Sequence, residues 1–402
     1  MPCRGAIVFV KGDWAEYAHT VGLPVWADGI RPCYECAGSG EDLYTPHGNS
    51  VLGLRWTTNT DADYHRACER CEVQVRLTAA TKATVLQYLR YDKRNDGSHG
   101  RALVQDIEVL GLRANDRLEP SSVLSDVSKL EDLPVPATVT FWRSREESIT
   151  RHRNPLFASS AITGLGLSSL TVDLLHALYL GVMNRYCAVV LWFLFSSEMF
   201  GIVGTAEENL QTPVLIIKSQ LMAFYKDFQR DNPSRVLTRV GDLTTKMVGT
   251  KHAPRCKTKG AETLGMALFL TGMLRTYAVR LGTAGKRLER AGSSLLRIVE
   301  IWDSSGRVMD TAARQSAFEQ YQTHMACMEP EDAYTPKHHI LFHLLYRSDK
   351  LGNPRYYASW QSEAKNKLLK LSCRAVSQAT FEATVLFRMK HVLAKQLKRP
   401  AT

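Results

Sequence analysis

Val172-Asp-Leu-Leu-His-Ala-Leu-Tyr-Leu-Gly-Val182 is the stretch around which we interpret the rest of the chain. Its Asp173 and His176 stand three positions apart, so on a helix they share one face. The surrounding leucines leave little surface for water, so both polar side chains are predicted to be partly buried and to need partners. This pattern is typical of a functional site. The simpler interpretation is an aspartate favoured by the helix dipole beside a core histidine hydrogen-bonded to backbone.

The composition is that of a basic globular protein. The chain has 402 residues, of which 45% are hydrophobic, so it can form one large domain with insertions or several smaller units. Lysine and arginine number 51 against 40 aspartate and glutamate residues, which gives a net charge of +11 and a pI near 9.2. This balance suits a polyanionic partner such as nucleic acid. A soluble basic surface without such a partner is the alternative.

The sequence also gives an expectation about location. Met1-Pro-Cys-Arg-Gly leads directly into an apolar segment, residues 6–10, and does not resemble a signal peptide. The longest uncharged apolar run, residues 186–197, is shorter than the roughly 20 residues that a bilayer requires. Nine cysteines, four of them in two Cys-x-x-Cys pairs, favour a reduced compartment. We therefore expect a nuclear or otherwise cytoplasmic protein that is neither secreted nor inserted in a membrane.

The two Cys-x-x-Cys pairs predict a structural zinc site. Cys33 and Cys36 form the first pair, and Cys68 and Cys71 follow after 31 intervening residues. Two such pairs complete a closed tetrahedral shell that leaves no position for a substrate, and folding of this region is expected to depend on the metal. Since the spacing is longer than usual, His47 or His65 could replace one thiolate. The alternative is that the pairs are buried thiols without a metal.

A carboxylate is predicted at the end of the first strand. Residues 6–10 are β-branched and aromatic, as in a buried strand, and Asp13 follows shortly afterwards. In open α/β sheets, ligands bind at the carboxyl ends of the strands. Asp13 is therefore a candidate site residue, and the alternative is an ordinary N-cap of the helix predicted over residues 14–21.

The second half of the chain is predicted to be helical. Apolar stripes recur over residues 213–228, 261–281 and 288–302, and the basic segment 251–259 precedes one of these helices. His339 and His343 stand four apart, a spacing that can bind a metal, but the His-Glu-x-x-His pattern of zinc proteases is absent.

These observations together predict an α/β fold, of the helix-rich α+β kind, in six segments. They are a core strand and helix (1–30), a zinc-binding knuckle (31–76), a connector packed on the core (77–170), the Asp-x-x-His helix (171–205), a helical insertion (206–335), and a closing core helix with a basic C-terminus (336–402).

The order of these landmarks resembles that of the CACTA-type DDE transposases. The resemblance implies a partial ribonuclease H-like core interrupted by a zinc knuckle and a large helical insertion. It assigns Asp13 to the second acidic position, Asp173 and His176 to the Asp-x-x-His signature, and Glu363 to the acid on the closing helix. The first acidic residue of the family would lie upstream, so the resemblance implies an N-terminally truncated element. Alternatively, Asp13 is the first acid and Asp106 the second.

The function implied by this resemblance is that of a transposase-derived DNA-binding protein, catalytically incomplete as a DDE-type strand transferase. Mg²⁺ would be the cofactor if the chain were catalytic, because strand transfer uses two ions bridged by the first acid. Homo-oligomers are possible in such a protein. The alternatives are a non-enzymatic zinc-containing scaffold that binds another protein, and a metal-dependent nuclease using Asp173, His176 and His339.

Overall fold

The architecture was analysed in a computed structural model of the chain. The structure describes residues 10–24, 30–44, 56–92, 118–120, 130–143, 154, 165–201, 204–205, 207–328, 334–360, 373, 376 and 380–397. His47, Asp106 and Glu363, which the sequence singled out as candidate site residues, lie outside these ranges.

The described elements are short strands followed by long helices. The strands are β1 (Val10–Gly12), β2 (Glu72–Leu77), β3 (Leu118–Pro120), β4 (Ala137–Arg143) and β5 (Leu170–Val172). Two π-helical segments, Tyr17–Val21 and Leu175–Val182, follow β1 and β5. The longer α-helices are α1 (Asp61–Cys71), α2 (Ala79–Asp92), α3 (Met183–Phe195), α4 (Gln211–Asp231), α5 (Gly260–Thr276), α6 (Ala278–Ser304), α7 (Thr311–Met328), α8 (Pro336–Tyr346) and α9 (Phe381–Leu397).

Strands β1 and β5 form a parallel pair, with Gly12 opposite Val172. Tyr17 fastens this pair from the segment that follows β1. Its buried hydroxyl lies 2.6 Å from the Val10 carbonyl oxygen and 2.7 Å from that of Thr171, and it accepts a hydrogen bond from the Thr171 amide. The carboxyl ends of the two strands are therefore held side by side.

Strands β2, β4 and β3 form a separate antiparallel sheet in that order. Val75 and Leu77 of β2 and Val139 and Phe141 of β4 are buried, while intervening residues such as Arg76 and Thr138 are exposed. This alternation is that of a sheet with one face on a core and one in solvent.

The core of the helical part is the continuous segment formed by Leu175–Val182 and α3. Residues Leu175–Phe195 are long and apolar enough to cross a membrane, but 78% of the apolar window is buried inside the protein, as in a core helix. The Tyr186 hydroxyl lies 3.0 Å from Thr271 Oγ1 on α5. It also approaches Gly292 of α6 so closely that a Cβ there would lie 2.0 Å from it. Helices α3, α5 and α6 consequently pack directly on one another.

The fold is thus helix-rich with small sheets, consistent with an α/β or α+β class. The ribonuclease H-like core stays a prediction, because only one parallel pair of strands lies within the described ranges.

Candidate metal centre and acidic site

Four buried side chains from two distant parts of the chain converge on one point. Cys33 Sγ lies 3.5 Å from His343 Nε2, and Cys36 Sγ lies 3.4 Å from His339 Nε2. The two histidine Nε2 atoms are 3.0 Å apart, and all four ligand atoms fall within 4.8 Å of one another. These four residues are hereafter called the Cys₂His₂ group.

The separations in this group fit a tetrahedral zinc ion. With zinc–sulfur bonds of about 2.3 Å and zinc–nitrogen bonds of about 2.0–2.1 Å, a sulfur and a nitrogen ligand lie about 3.6 Å apart, and two nitrogens about 3.4 Å. The sulfur–nitrogen distances of 3.5 Å and 3.4 Å lie close to this geometry, whereas the nitrogen–nitrogen distance of 3.0 Å is shorter than it requires. Two thiolates with two imidazoles also form a donor set that selects zinc over Mg²⁺ or Ca²⁺.

Helix α8 supplies the two histidines. Residues four apart share a helix face, so His339 and His343 point the same way. The helix begins at the N-cap Thr335, followed by Pro336 at the first helical position, where proline is favoured.

A neighbouring extended segment positions the two cysteines. The Asn59 side-chain amide donates to the carbonyl oxygens of Cys33 and Tyr34 at 3.3 and 3.0 Å. The Gly38 amide donates to Cys36 Sγ at 3.4 Å, as expected for an electron-rich sulfur. The cysteine loop is therefore ordered by contacts that do not depend on the histidines.

Glu35, which lies between the two cysteines, connects the group to the rest of the fold. Its Oε2 lies 3.5 Å from His343 Nδ1, and its Oε1 lies 3.1 Å from Arg347 Nη1. A carboxylate behind a ligating histidine fixes the orientation of the ring and raises its basicity. Arg347 also donates to the carbonyl oxygens of Leu170 and Ser168, so the group is coupled to β5.

The charges of this buried region balance when a divalent ion is present. Two thiolates neutralise the ion, and Glu35 neutralises Arg347. Without an ion, burial and the neighbouring Cys36 raise the pKa of the Cys33 thiol to about 11. Burial opposes protonation of His343, but the charges of Cys33 and Glu35 raise its pKa overall. Metal binding must therefore displace protons, and affinity is expected to fall in acid.

The predicted shell of four cysteines is not the one that the described residues assemble. Cys68 and Cys71 lie at the end of α1 and are not members of the Cys₂His₂ group. With Tyr64 and Ala67 they form the buried stripe of that helix, because positions 64, 67, 68 and 71 share one face. His65 is exposed on another face. Helix α8 therefore supplies two candidate ligands that the sequence prediction did not include, and a shell that contains Cys68 and Cys71 stays a prediction.

A second site lies at the carboxyl ends of β1 and β5, and we call it the acidic site. It contains Asp13, Asp173 and His176. The Asp173 amide donates to the Gly12 carbonyl oxygen at 3.1 Å, so the two aspartates follow adjacent strand ends. His176 Nδ1 lies 2.6 Å from Asp173 Oδ2, and its Nε2 lies 3.8 Å from Asp13 Oδ2. Three of the four predicted catalytic residues are thus brought together.

Asp173 has the contacts of an orienting group. Its side chain is fully buried, and its Oδ1 accepts hydrogen bonds from Ser359 Oγ at 2.7 Å and from the Leu175 amide at 2.9 Å. Since Oδ2 is engaged by His176, the carboxylate has little capacity for an ion. Asp13 and His176 retain side-chain exposures of 33% and 22%, so the accessible chemistry lies between them.

The local backbone differs from the predicted α-helix. Asp173 precedes the helical segment and accepts hydrogen bonds from its first amides, and the turns from Leu175 to Val182 are π-helical. Such segments are rare and are often found at functional sites. The aspartate is therefore both a helix cap and the partner of His176, so the two interpretations of this stretch are compatible.

The pKa shifts of Asp173 and His176 both favour the charged forms, so the two side chains form an ion pair. Burial raises the pKa of Asp173, but hydrogen bonds from His176 and Ser359 outweigh it and lower the pKa. The pKa of His176 is raised by its hydrogen bond with Asp173 and by the charges of Asp173 and Asp13, against burial and the charge of Lys337.

These shifts predict a pH dependence of stability. The contribution of His176 is complete below its unfolded pKa of about 6.5 and is lost as pH rises through its raised folded pKa. That of Asp173 is complete above about 3.9 and is lost as pH falls through its lowered folded pKa. Urea unfolding of wild type and His176→Gln between pH 5 and 9 tests this. We expect the advantage of wild type to shrink with rising pH; an advantage that grows would contradict the assignment.

The remaining predicted site residue, Glu363, lies outside the described residues. Ser359, four positions earlier, contacts Asp173. His339 belongs to the Cys₂His₂ group, where its Nε2 faces Cys36 and His343.

Sequence reasoning did not assign Glu35, Arg347 and Ser359, or the pairing of the histidines with the first cysteine pair. The available signal was the His339/His343 spacing on an apolar helix. Comparisons with protein-family models, with curated proteins and with solved structures found no match.

Proposed function

We propose that the chain is a transposase-derived DNA-binding protein whose acidic site holds one divalent cation against a DNA phosphate and is incomplete for strand transfer. The convergence of Asp13 and His176, with Asp173 behind the imidazole, is the observation that carries this proposal. A zinc ion held by the Cys₂His₂ group would be structural, because four protein ligands leave no open position.

The contacts of His176 support a role as a metal ligand. A histidine that binds a metal through one nitrogen usually donates its other N–H to a carboxylate, and Asp173 occupies that position here. Asp13 adds a carboxylate oxygen on the Nε2 side. Imidazole with carboxylate suits Mn²⁺ better than Mg²⁺, which prefers oxygen ligands alone.

We propose that the acidic site is incomplete for strand transfer because it offers few ligands for metal ions. Strand transfer needs two ions about 3.5–4 Å apart, clamped by shared carboxylates. Asp173 is occupied by Ser359, Leu175 and His176, and Asp13 is the other carboxylate that the described residues bring to this site. One weakly held ion would assist phosphate binding without supporting efficient strand transfer.

DNA binding and Mn²⁺ binding test the proposal together. We expect purified zinc-loaded protein to bind about one Mn²⁺, measured by electron paramagnetic resonance, and to bind duplex DNA with steep salt dependence. Asp13→Asn should abolish Mn²⁺ binding, whereas the exposed control Glu319→Gln should not.

Two outcomes would overturn parts of this function. DNA affinity that does not change with ionic strength would exclude a phosphate-led interaction. Robust strand transfer in Mn²⁺ that Glu363→Gln abolishes would show that the site is complete, and so contradict the claim of incompleteness.

A non-enzymatic scaffold is the second candidate. Helix α9 exposes Leu386 and Phe387, with 59% and 72% of their surfaces accessible, beside the buried Val385. Adjacent exposed apolar side chains on one helix are a feature of protein-binding surfaces. This function is favoured over the first if the chain binds neither Mn²⁺ nor DNA.

A further inference from the structure

The basic segment 251–259 is held in a defined conformation. The Arg255 amide donates to the Val248 carbonyl oxygen at 2.9 Å, and the Lys257 amide donates to that of Met247 at 3.0 Å. Gly249 begins this arrangement at a φ of +74°, and a Cβ there would lie 2.4 Å from the Ala253 carbonyl oxygen. The backbone of the segment is therefore held in one conformation, which sets where its side chains begin.

The loop is also fastened to the core helix α3. The Asn184 side-chain amide donates to the Cys256 carbonyl oxygen and to Thr258 Oγ1. Trp192 Nε1 donates to the Val248 carbonyl oxygen at 2.8 Å. These contacts hold Arg255 and Lys257 over the surface of the segment that contains His176.

A pocket of about 390 Å³ lies between this loop, the core segment and the start of α8. Four cations line it, and no acidic residue is among the described residues that do so. The cations are Arg185, Arg255, Lys257 and Lys337. Four like charges around one cavity repel one another and attract an anion. The volume is within the range of ordinary ligand sites.

Lys337 connects this pocket to the acidic site. It lies two residues before His339, and its stem packs so closely on Gly181 that a Cβ there would lie 2.9 Å from Lys337 Cβ. The same Cβ position would lie 2.8 Å from the carbonyl oxygen of His176, so the Lys337 stem packs against the turn that carries His176. Within the described part of the chain its ammonium forms no hydrogen bond or close ion pair, although the side chain is half-buried.

We propose that this cationic pocket binds a backbone phosphate of DNA and directs the strand past Lys337 towards Asp13 and His176. This inference rests on the proposed DNA-binding function and deepens it, because it names the surface that the phosphate chain follows. Arginine forks and lysine ammonium groups are the usual phosphate partners, and such contacts position a strand without reading its sequence.

Paired charge-removing variants test the proposal. In Arg255→Gln/Lys257→Gln the two exposed cations of the pocket are neutralised, and in Lys226→Gln/Lys286→Gln two exposed cations outside it are neutralised. Affinity for a labelled duplex is measured by fluorescence anisotropy over a series of salt concentrations. We expect the pocket variant to bind at least about tenfold more weakly, with a salt slope reduced by about 1 per lost phosphate contact. The control should change less than threefold.

The possible outcomes distinguish failure of the pocket assignment from failure of the proposed DNA-binding function. If wild type binds DNA and the two double variants weaken it equally, the pocket assignment is wrong and DNA binding stands. If wild type does not bind DNA, thermal unfolding is measured with inorganic pyrophosphate against sodium chloride at equal ionic strength. If pyrophosphate raises the unfolding temperature of wild type but not that of the pocket variant, the pocket binds a small phosphate ligand instead of DNA. If pyrophosphate does not raise the unfolding temperature of wild type, the proposal of a phosphate pocket is wrong.

Discussion

Removal of zinc by a chelator is expected to cause the largest loss of stability in this protein. The Cys₂His₂ group joins a loop near residue 35 to helix α8, some 300 positions later, through buried ligands. At free zinc about 1,000-fold above the dissociation constant, binding contributes about 4 kcal/mol. Chelation should lower the free energy of unfolding by this amount, and added zinc should restore it. Denaturant unfolding followed by circular dichroism measures the change.

Substitutions distinguish the ligand set from general destabilisation. Cys36→Ser and His339→Asn should each release bound zinc, measured as metal content after gel filtration. Cys68→Ser and Cys71→Ser remove thiols that are equally buried, and they should retain one zinc per chain even where they lower stability. Loss of zinc in the second pair of variants with retention in the first would contradict the assignment.

Asp173→Ala should have the second largest effect. The carboxylate accepts hydrogen bonds from Ser359 Oγ, the Leu175 amide and His176, and its side chain is fully buried. Removing one partner of a buried charged pair costs about 3–5 kcal/mol, because the other partners are left without an acceptor. Urea unfolding at pH 6, where the pair is charged, should measure this loss.

A matched comparison is available in Asp63, which accepts a hydrogen bond at the start of α1 in an exposed capping box. Asp63→Ala should cost only about 1 kcal/mol, the usual value for a helix cap. If Asp173→Ala cost no more than this, Asp173 would be an ordinary cap, and its role in orienting His176 would be contradicted.

Helix positions were well predicted from the sequence. The stripe at residues 213–228 lies within α4, Gln211–Asp231, because apolar spacing specifies which face is buried. The stripe at residues 288–302 lies within α6, Ala278–Ser304, whereas the stripe at residues 261–281 spans α5, Gly260–Thr276, and the first turn of α6. Residues 136–142, whose β-branched and aromatic composition favours a short strand or an extended arm, lie almost entirely within β4, Ala137–Arg143.

Part of the acidic site could also be predicted from the sequence. Only the strand before Asp13 was predicted, and Asp13 and Asp173 were linked by the family resemblance. Strand β5, which places Asp173 beside Asp13, was not predicted. The π-helical turns and the contribution of Ser359 could not be predicted, because they depend on packing between segments about 186 residues apart.

The metal ligands show where local patterns become ambiguous. A Cys-x-x-Cys spacing suits a zinc knuckle, and it equally suits two positions of a buried helical stripe. Cys33 and Cys36 lie in the group that could hold a metal ion, and Cys68 and Cys71 lie on the buried face of α1. The two cysteine pairs differ in whether the histidines of α8 lie beside them. The sequence around each pair does not indicate this position of α8.

X-ray absorption at the zinc edge tests the central claim most directly, because it counts the sulfur and nitrogen neighbours of the bound ion. The structure predicts one zinc with two sulfurs at about 2.3 Å and two imidazole nitrogens at about 2.0–2.1 Å. A shell of four sulfurs would place Cys68 and Cys71 on the metal. That result, or purified protein that binds no zinc when zinc is supplied, would contradict the account.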